Sequence, residues 1–196
     1  MIEHVRASLA TAAEALAYLM KDDETLAAID RAGGLIGDVF HQGGRVYSCG
    51  NGGSMCDAMH FAEELSGKFR DARAPLPAVA ISDVAHLSCA ANDFGYDSVF
   101  ARFVEAHGRK GDALLAISTS GASSNILLAA AAARRSGVAV IALTGKRDSQ
   151  LAALADIEIC TPGGTAYSDR IQELHIKVIH TLIELCERRL FPANYG

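Results

Sequence analysis

Arg45-Val46-Tyr47-Ser48-Cys49-Gly50-Asn51-Gly52-Gly53-Ser54 runs from a short apolar stretch into a cluster of glycines and ends on a serine that opens a helical pattern. The same order recurs where Ala113-Leu114-Leu115-Ala116-Ile117 leads into Ser118-Thr119-Ser120-Gly121-Ala122-Ser123 and the helical run 125–134. Glycine lets a backbone approach a ligand closely, hydroxyls donate hydrogen bonds, and the free N–H groups of a helix N-terminus attract an anion. One such loop is an ordinary strand-to-helix turn. Two of them on successive parts of an α/β pattern point to a site for a phosphate and a polyol made without cations. The first loop is no dinucleotide fingerprint, because the third glycine of G-x-G-x-x-G falls on Met55.

Around these loops, apolar runs at residues 45–49, 78–81, 113–117, 138–143 and 157–160 alternate with helical patterns. Five strands separated by helices, apolar on both faces, predict an α/β fold. The expected form is a three-layer α/β/α sandwich on a five-stranded parallel sheet, doubly wound in the flavodoxin-like manner. Ligands in such sheets gather at the C-terminal strand ends, where both loops fall. Residues 1–196 read as one domain: N-terminal helices over 1–42, at residues 1–20 and 22–42, then an α/β core over 43–196 with a long last helix at 168–190. Gly33-Gly34 weakens the middle of the second helix. The last helix carries an apolar face wide enough either for subunit packing or for burial within its own chain.

Half of the 196 residues are hydrophobic and the net charge is −5, with no basic patch beyond Arg134-Arg135 and Arg188-Arg189. Nucleic acid is therefore not an expected partner. No run approaches the roughly 18 unbroken apolar residues of a membrane span, and the N-terminal stretch is amphipathic rather than a signal peptide. Five cysteines with no C-x-x-C pair suit a reducing compartment, and the expected location is cytoplasmic.

His60 and Glu64 stand four apart on the helix opened by Ser54, stacked on one face. Imidazole nitrogen and carboxylate oxygen are both zinc ligands; without further partners such a pair is far more often a surface hydrogen bond. Gln172, Glu173, His175 and His180 on the last helix are candidates to complete a metal site. Asn92-Asp93-Phe94-Gly95-Tyr96 reads as a turn interrupting a helix, leaving an amide and a carboxylate for sugar hydroxyls, or as a plain Asp-x-Gly turn. Asp169 is either a dipole-favoured acid in a first helical turn or a ligand contact.

Taken together, Ser48-Cys49-Gly50-Asn51-Gly52-Gly53-Ser54, Asp57-Ala58-Met59-His60-Phe61-Ala62-Glu63-Glu64-Leu65, Ile117-Ser118-Thr119-Ser120-Gly121 and Asp169-Arg170-Ile171-Gln172-Glu173 with His180 downstream closely resemble the phosphoheptose isomerases of the sugar-isomerase (SIS) superfamily. The resemblance covers nearly the whole chain. It implies isomerisation of sedoheptulose 7-phosphate to D-glycero-D-manno-heptose 7-phosphate through an enediol, the first step toward the heptose of lipopolysaccharide. Carried onto matching positions, it implies that His60, Glu64, Gln172 and His180 hold one zinc ion, with Glu64 and His180 catalytic. Ser118, Thr119, Ser120 and Ser123 are implied to grip the phosphate. Asn51, Gly52, Gly53, Ser54, Glu64, Asn92, Asp93, Asp169 and Gln172 are implied to contact the substrate. It also implies a homotetramer with active sites at subunit boundaries.

Two departures stand out: Met55, where some relatives carry a polar residue, and a variable-looking loop at Gly163-Gly164-Thr165. Gln172 and His180 pose a geometric difficulty, because eight residues of straight helix span about 12 Å and turn by about 80°. Either Gln172 lies in a distorted first turn or the two serve one site from different subunits. The alternatives are a non-catalytic SIS module that senses sugar phosphate or binds protein, and an isomerase of another phosphosugar.

Overall fold

Strand β3 (Ala113–Ser118) is buried along its whole length and sends alternate side chains into two separate cores. Ala113, Leu115 and Ile117 join one; Leu114 and Ala116 join the other. Strand β3 is central in a five-stranded sheet, paired in parallel with β1 (Val46–Cys49) on one side and β4 (Ala139–Thr144) on the other. Strands β2 (Ala78–Ala80) and β5 (Ile157–Cys160) form the edges, and every pairing is parallel, in the order β2-β1-β3-β4-β5. A parallel sheet needs helices on both faces. One face carries α1 (Ile2–Leu19), α2 (Asp23–His41), α3 (Gly53–Ser66) and α7 (Ser168–Leu190); the other carries α4 (Val84–Phe94), α5 (Val99–His107) and α6 (Ser124–Arg135). This computed structural model describes residues 1–163 and 167–196. Of the loop at Gly163-Gly164-Thr165, the last two residues lie outside the described ones.

The expected three-layer architecture is present, and no strand limit differs from expectation by more than one residue. Small residues set the close approaches. In α6, Ala129, Ala130, Ala132 and Ala133 are fully buried, so the helix backbone lies close to the sheet. Helix α2 runs unbroken through Gly33-Gly34, contrary to the expected weakening. A Cβ at Gly33 would stand 2.7 Å from Leu185 Cβ, so glycine there permits tight packing of α2 on α7. The wide apolar face of α7 is also resolved: Leu174, Val178, Ile179, Leu182, Ile183 and Cys186 are buried inside this chain. That face is therefore spent on the chain's own core rather than on a partner.

Strand order reverses between β1 and β3, where the connection from β2 crosses over β1. The crevice outside the C-terminal ends of these two strands is the switch point at which doubly wound sheets bind ligands. The loop after β1 is Gly50–Gly52, and the loop after β3 is Thr119–Ser123.

Candidate active site and metal centre

Both helices that leave this crevice begin without a side-chain cap. Helix α3 starts after Gly52, whose φ of +54 favours glycine, and α6 starts after Ser123. Ser123 occupies the N-cap position, but its hydroxyl turns away to lie 3.2 Å from Ser118 Oγ, which is also 3.4 Å from Ser120 Oγ. Three hydroxyls thus converge in front of the uncapped first turn of α6, a ready anion site. The Gly121 amide donates to Ser118 Oγ at 3.2 Å, and Gly145 N donates to the Thr119 carbonyl at 3.1 Å, which ties the loop to the end of β4. Gly121 has φ +62, and a Cβ there would fall 2.3 Å from Ser149 Cβ, so no other residue fits.

Helices α3 and α7 lie side by side on one face of the sheet. His60 Nε2 is 2.9 Å from His180 Nε2 and 3.5 Å from Glu64 Oε1. One ligand atom from each of His60, Glu64 and His180 lies within 4.8 Å of the others. Ligand atoms about 2 Å from a tetrahedral ion stand roughly 3.3 Å apart, so this donor set fits zinc. The outer nitrogen supports the fit: His60 Nδ1 lies 3.3 Å from Glu63 Oε1, the carboxylate partner that leaves Nε2 free as a ligand. His180 is held below its usual range by burial, and then by His60, Lys177 and Arg70, which favours the neutral ring a metal requires. Glu64 is raised by burial first and then by Glu63, with His60 opposing.

Gln172 is placed by a different contact. Its amide packs against Gly53, where a Cβ would stand 2.7 Å from Nε2, two helical turns before His60. Helix α7 continues through it from Ser168, and Gln172 and His180 face the same neighbour, α3, from one chain. Asn92 and Asp93 form the last turn of α4 instead of a free turn, which ends at Gly95 (φ +84). Their side chains pair with each other, Asn92 Nδ2 donating to Asp93 Oδ1 at 2.7 Å. Asp169 is exposed in the first turn of α7, accepting from the Arg170 amide at 2.9 Å.

A family model described as SIS domain matches residues 3–145. The chain is 58% identical over 189 residues to the phosphoheptose isomerase of Yersinia enterocolitica serotype O:8, covering 96% of this chain and 97% of that protein. It is 59% identical over 186 residues to the enzyme of the same name from Salmonella paratyphi B, covering 95% and 96%. This chain belongs to the phosphoheptose isomerase family of SIS-domain proteins. Solved phosphoheptose isomerases agree in fold: the Neisseria gonorrhoeae structure has a TM-score of 0.87 at 36% identity, covering 94% of this chain and 97% of that one. The Francisella tularensis structure has a TM-score of 0.89 at 33% identity, covering 95% and 98%.

Two features of this phosphoheptose isomerase family member have no counterpart in the sequence analysis. Asp57 lies one turn before His60 on α3; its Oδ2 is buried without a hydrogen-bond partner, and burial pushes the carboxyl up to about 6 against the pull of His60. Its spacing from His60 and Glu64, three and seven residues, is a helical stripe that could have been read. Arg73, 1% exposed, donates from Nη2 to the Glu64 carbonyl at 2.7 Å, from Nη1 to the Leu65 carbonyl at 2.7 Å, and from Nε to Glu187 Oε1 at 2.7 Å. It therefore caps α3 beside Glu64 and fastens that end to α7, and no spacing rule announces such a contact. His175, a candidate ligand in the sequence, stands outside the His60–Glu64–His180 group: it is fully buried, and neither ring nitrogen has a hydrogen-bond partner among the described residues.

Proposed function

We propose that this chain interconverts sedoheptulose 7-phosphate and D-glycero-D-manno-heptose 7-phosphate through an enediol, in the cytoplasm, as the first step toward lipopolysaccharide heptose. The observation that carries the reading is the His60–Glu64–His180 cluster, two turns along the helix that leaves the crevice, in a chain that also carries an uncapped, hydroxyl-lined anion loop. The relatives' names supply the heptose. The loops alone recognise a phosphate and cannot count carbons.

Ser118, Thr119, Ser120 and Ser123 would hold the phosphate with the first N–H groups of α6. Gly52, Gly53, Ser54, Asn92, Asp93, Asp169 and Gln172 would line the path of the sugar chain. Moving a proton between C1 and C2 needs a base at carbon and a proton carrier at oxygen. Glu64, whose Oε1 lies 3.5 Å from His60 Nε2, would take the carbon-bound proton. His180, kept neutral by burial, would pass a proton between the two substrate oxygens. Zinc, when bound by His60, Glu64 and His180, would supply Lewis-acid stabilisation of the negative charge that develops on oxygen. Gln172 would contact the sugar beside Gly53 and enter the coordination set only by swinging along the helix toward His60.

Among the described residues, no helix is long and apolar enough to cross a membrane. With α7 spent internally, the exposed Ile2, Val5 and Leu9 of α1 are the surface this reading assigns to assembly of a homotetramer.

The test is incubation of metal-assayed protein with sedoheptulose 7-phosphate, following aldoheptose formation by NMR, with a ribulose phosphate control. Turnover of the heptulose alone is expected; turnover of the pentulose alone overturns the substrate assignment. Glu64→Gln should abolish turnover while sugar-phosphate binding persists, and a Gln variant that still turns over removes Glu64 as the base.

A further inference from the structure

Asn51 and Asn125 face one another as a closed amide pair. Asn51 Nδ2 donates to Asn125 Oδ1 at 2.9 Å, and Asn125 Nδ2 donates to Asn51 Oδ1 at 2.8 Å. Asn51 lies in the loop after β1 and Asn125 in the first turn of α6, so the pair spans the switch-point crevice from the glycine loop to the phosphate loop. Asn51 Oδ1 receives a second bond, at 3.1 Å, from the hydroxyl of Tyr96. Tyr96 follows directly on the α4 terminus that carries Asn92 and Asp93. A carbonyl oxygen has two lone pairs, and both of Asn51's are taken. Asn125 is 3% exposed, which leaves it no surface for substrate.

We infer that the Asn51 side chain is a tie and not a sugar ligand, and that Asn125 and Tyr96 are positioning residues that hold three loops in one register around the sugar phosphate. The inference rests on the isomerase reading above for its substrate. Its physical basis is independent of that reading. Two antiparallel amide bonds fix both side-chain planes at once, so the glycine loop cannot shift against α6 without breaking them. Displacements of about 1 Å in groups that position a substrate cost up to about a hundredfold in rate. The expectation that Asn51 binds sugar is thereby narrowed to its backbone and its one remaining amide hydrogen.

The test pairs turnover with a readout that needs no substrate. In wild-type protein labelled with 15N-asparagine, the side-chain amides of Asn51 and Asn125 should exchange slowly with solvent, and Asn125→Ala should abolish the protection at Asn51. Asn125→Ala should lower kcat about tenfold or more, with inhibition by inorganic phosphate, held by the serine loop, changed by less than about threefold. Asn125→Asp keeps the bond donated by Asn51 and should fall between wild type and the alanine variant. Tyr96→Phe, at a half-exposed position where folding is not at stake, should lower kcat about threefold. Wild-type kcat in the Tyr96 and Asn125 variants, or free exchange of both amides in wild-type protein, overturns the inference. A protected amide pair in a protein that does not turn over the heptulose supports the tie and removes the substrate reading instead.

Discussion

Acidification should weaken this fold through one buried imidazole. His175 is 0% exposed, and burial presses it from 6.5 down to about 4, with the Thr144 backbone pulling weakly the other way. Neither ring nitrogen has a partner at hydrogen-bonding geometry, so desolvation dominates. Between pH 6.5 and 4 the unfolded chain binds a proton that the folded chain refuses, so the contribution is fully present above 6.5 and is lost as pH falls toward 4. At 1.36 kcal/mol for each pH unit, the loss at pH 5 is about 2 kcal/mol, rising to about 3 kcal/mol below pH 4. The comparison variant is His175→Leu, which removes the titration and buries no unpaired nitrogen; at pH 7.5 it should be at least as stable as wild type. Urea midpoints at pH 7.5 and pH 5, at one protein concentration, measure both. If wild type and the leucine variant lose stability in parallel over that interval, His175 is not the group responsible and the reasoning fails.

Further substitutions probe the site's scaffold and its metal ligands. Arg73→Met leaves the Glu187 carboxylate buried with only the Tyr195 hydroxyl, which donates to it at 2.6 Å, and should cost about 3–5 kcal/mol. Adding Glu187→Leu should restore most of that, and a double variant no more stable than the single one contradicts the account. Gly53→Ala should leave stability nearly unchanged, because the atoms it meets are the mobile end of Gln172, yet raise KM by displacing that amide. Gly121→Ala should instead destabilise by more than about 1 kcal/mol, since φ +62 and Ser149 both oppose it; equal thermal stability of the two alanine variants would refute the distinction. His60→Ala and His180→Ala should each abolish stoichiometric zinc, measured by elemental analysis after dialysis, with the fold intact by circular dichroism.

Periodicity carried the fold because it reports burial directly. The two-sided apolar runs of β3 and β4 can lie only inside a sheet covered on both faces, and β1 and β3 announced their loops through glycine and hydroxyl content. The His60–Glu64 pair was readable from helical spacing, and the arrival of His180 on it was not readable from spacing alone. That meeting depends on how α3 packs on α7, where Gly53 admits the end of Gln172, and on how α2 seats α7 through Gly33. The same cause explains the misread elements. Gly33-Gly34 resembles a breaker until Leu185 is seen filling the space a Cβ would need. The apolar face of α7 stays open between an interface and the chain's own core until α2 and α3 are placed against it. Asn92 and Asp93 resemble a turn because Gly95 follows, yet Asp83 caps the start of α4, accepting from the His86 amide at 2.7 Å, and the helix runs on to Phe94.

The contacts of α3 with α7 work like a vernier. Gly53 meets Gln172 at one end and His60 meets His180 at the other, so seven steps along one helix are matched to eight along the other. Inserting or deleting a single residue between 172 and 180 would swing the distal imidazole by about 100° around its axis. Chain length is thus pinned inside this helical pair, and drift in length through descent must be absorbed elsewhere, in the connections between strands and helices.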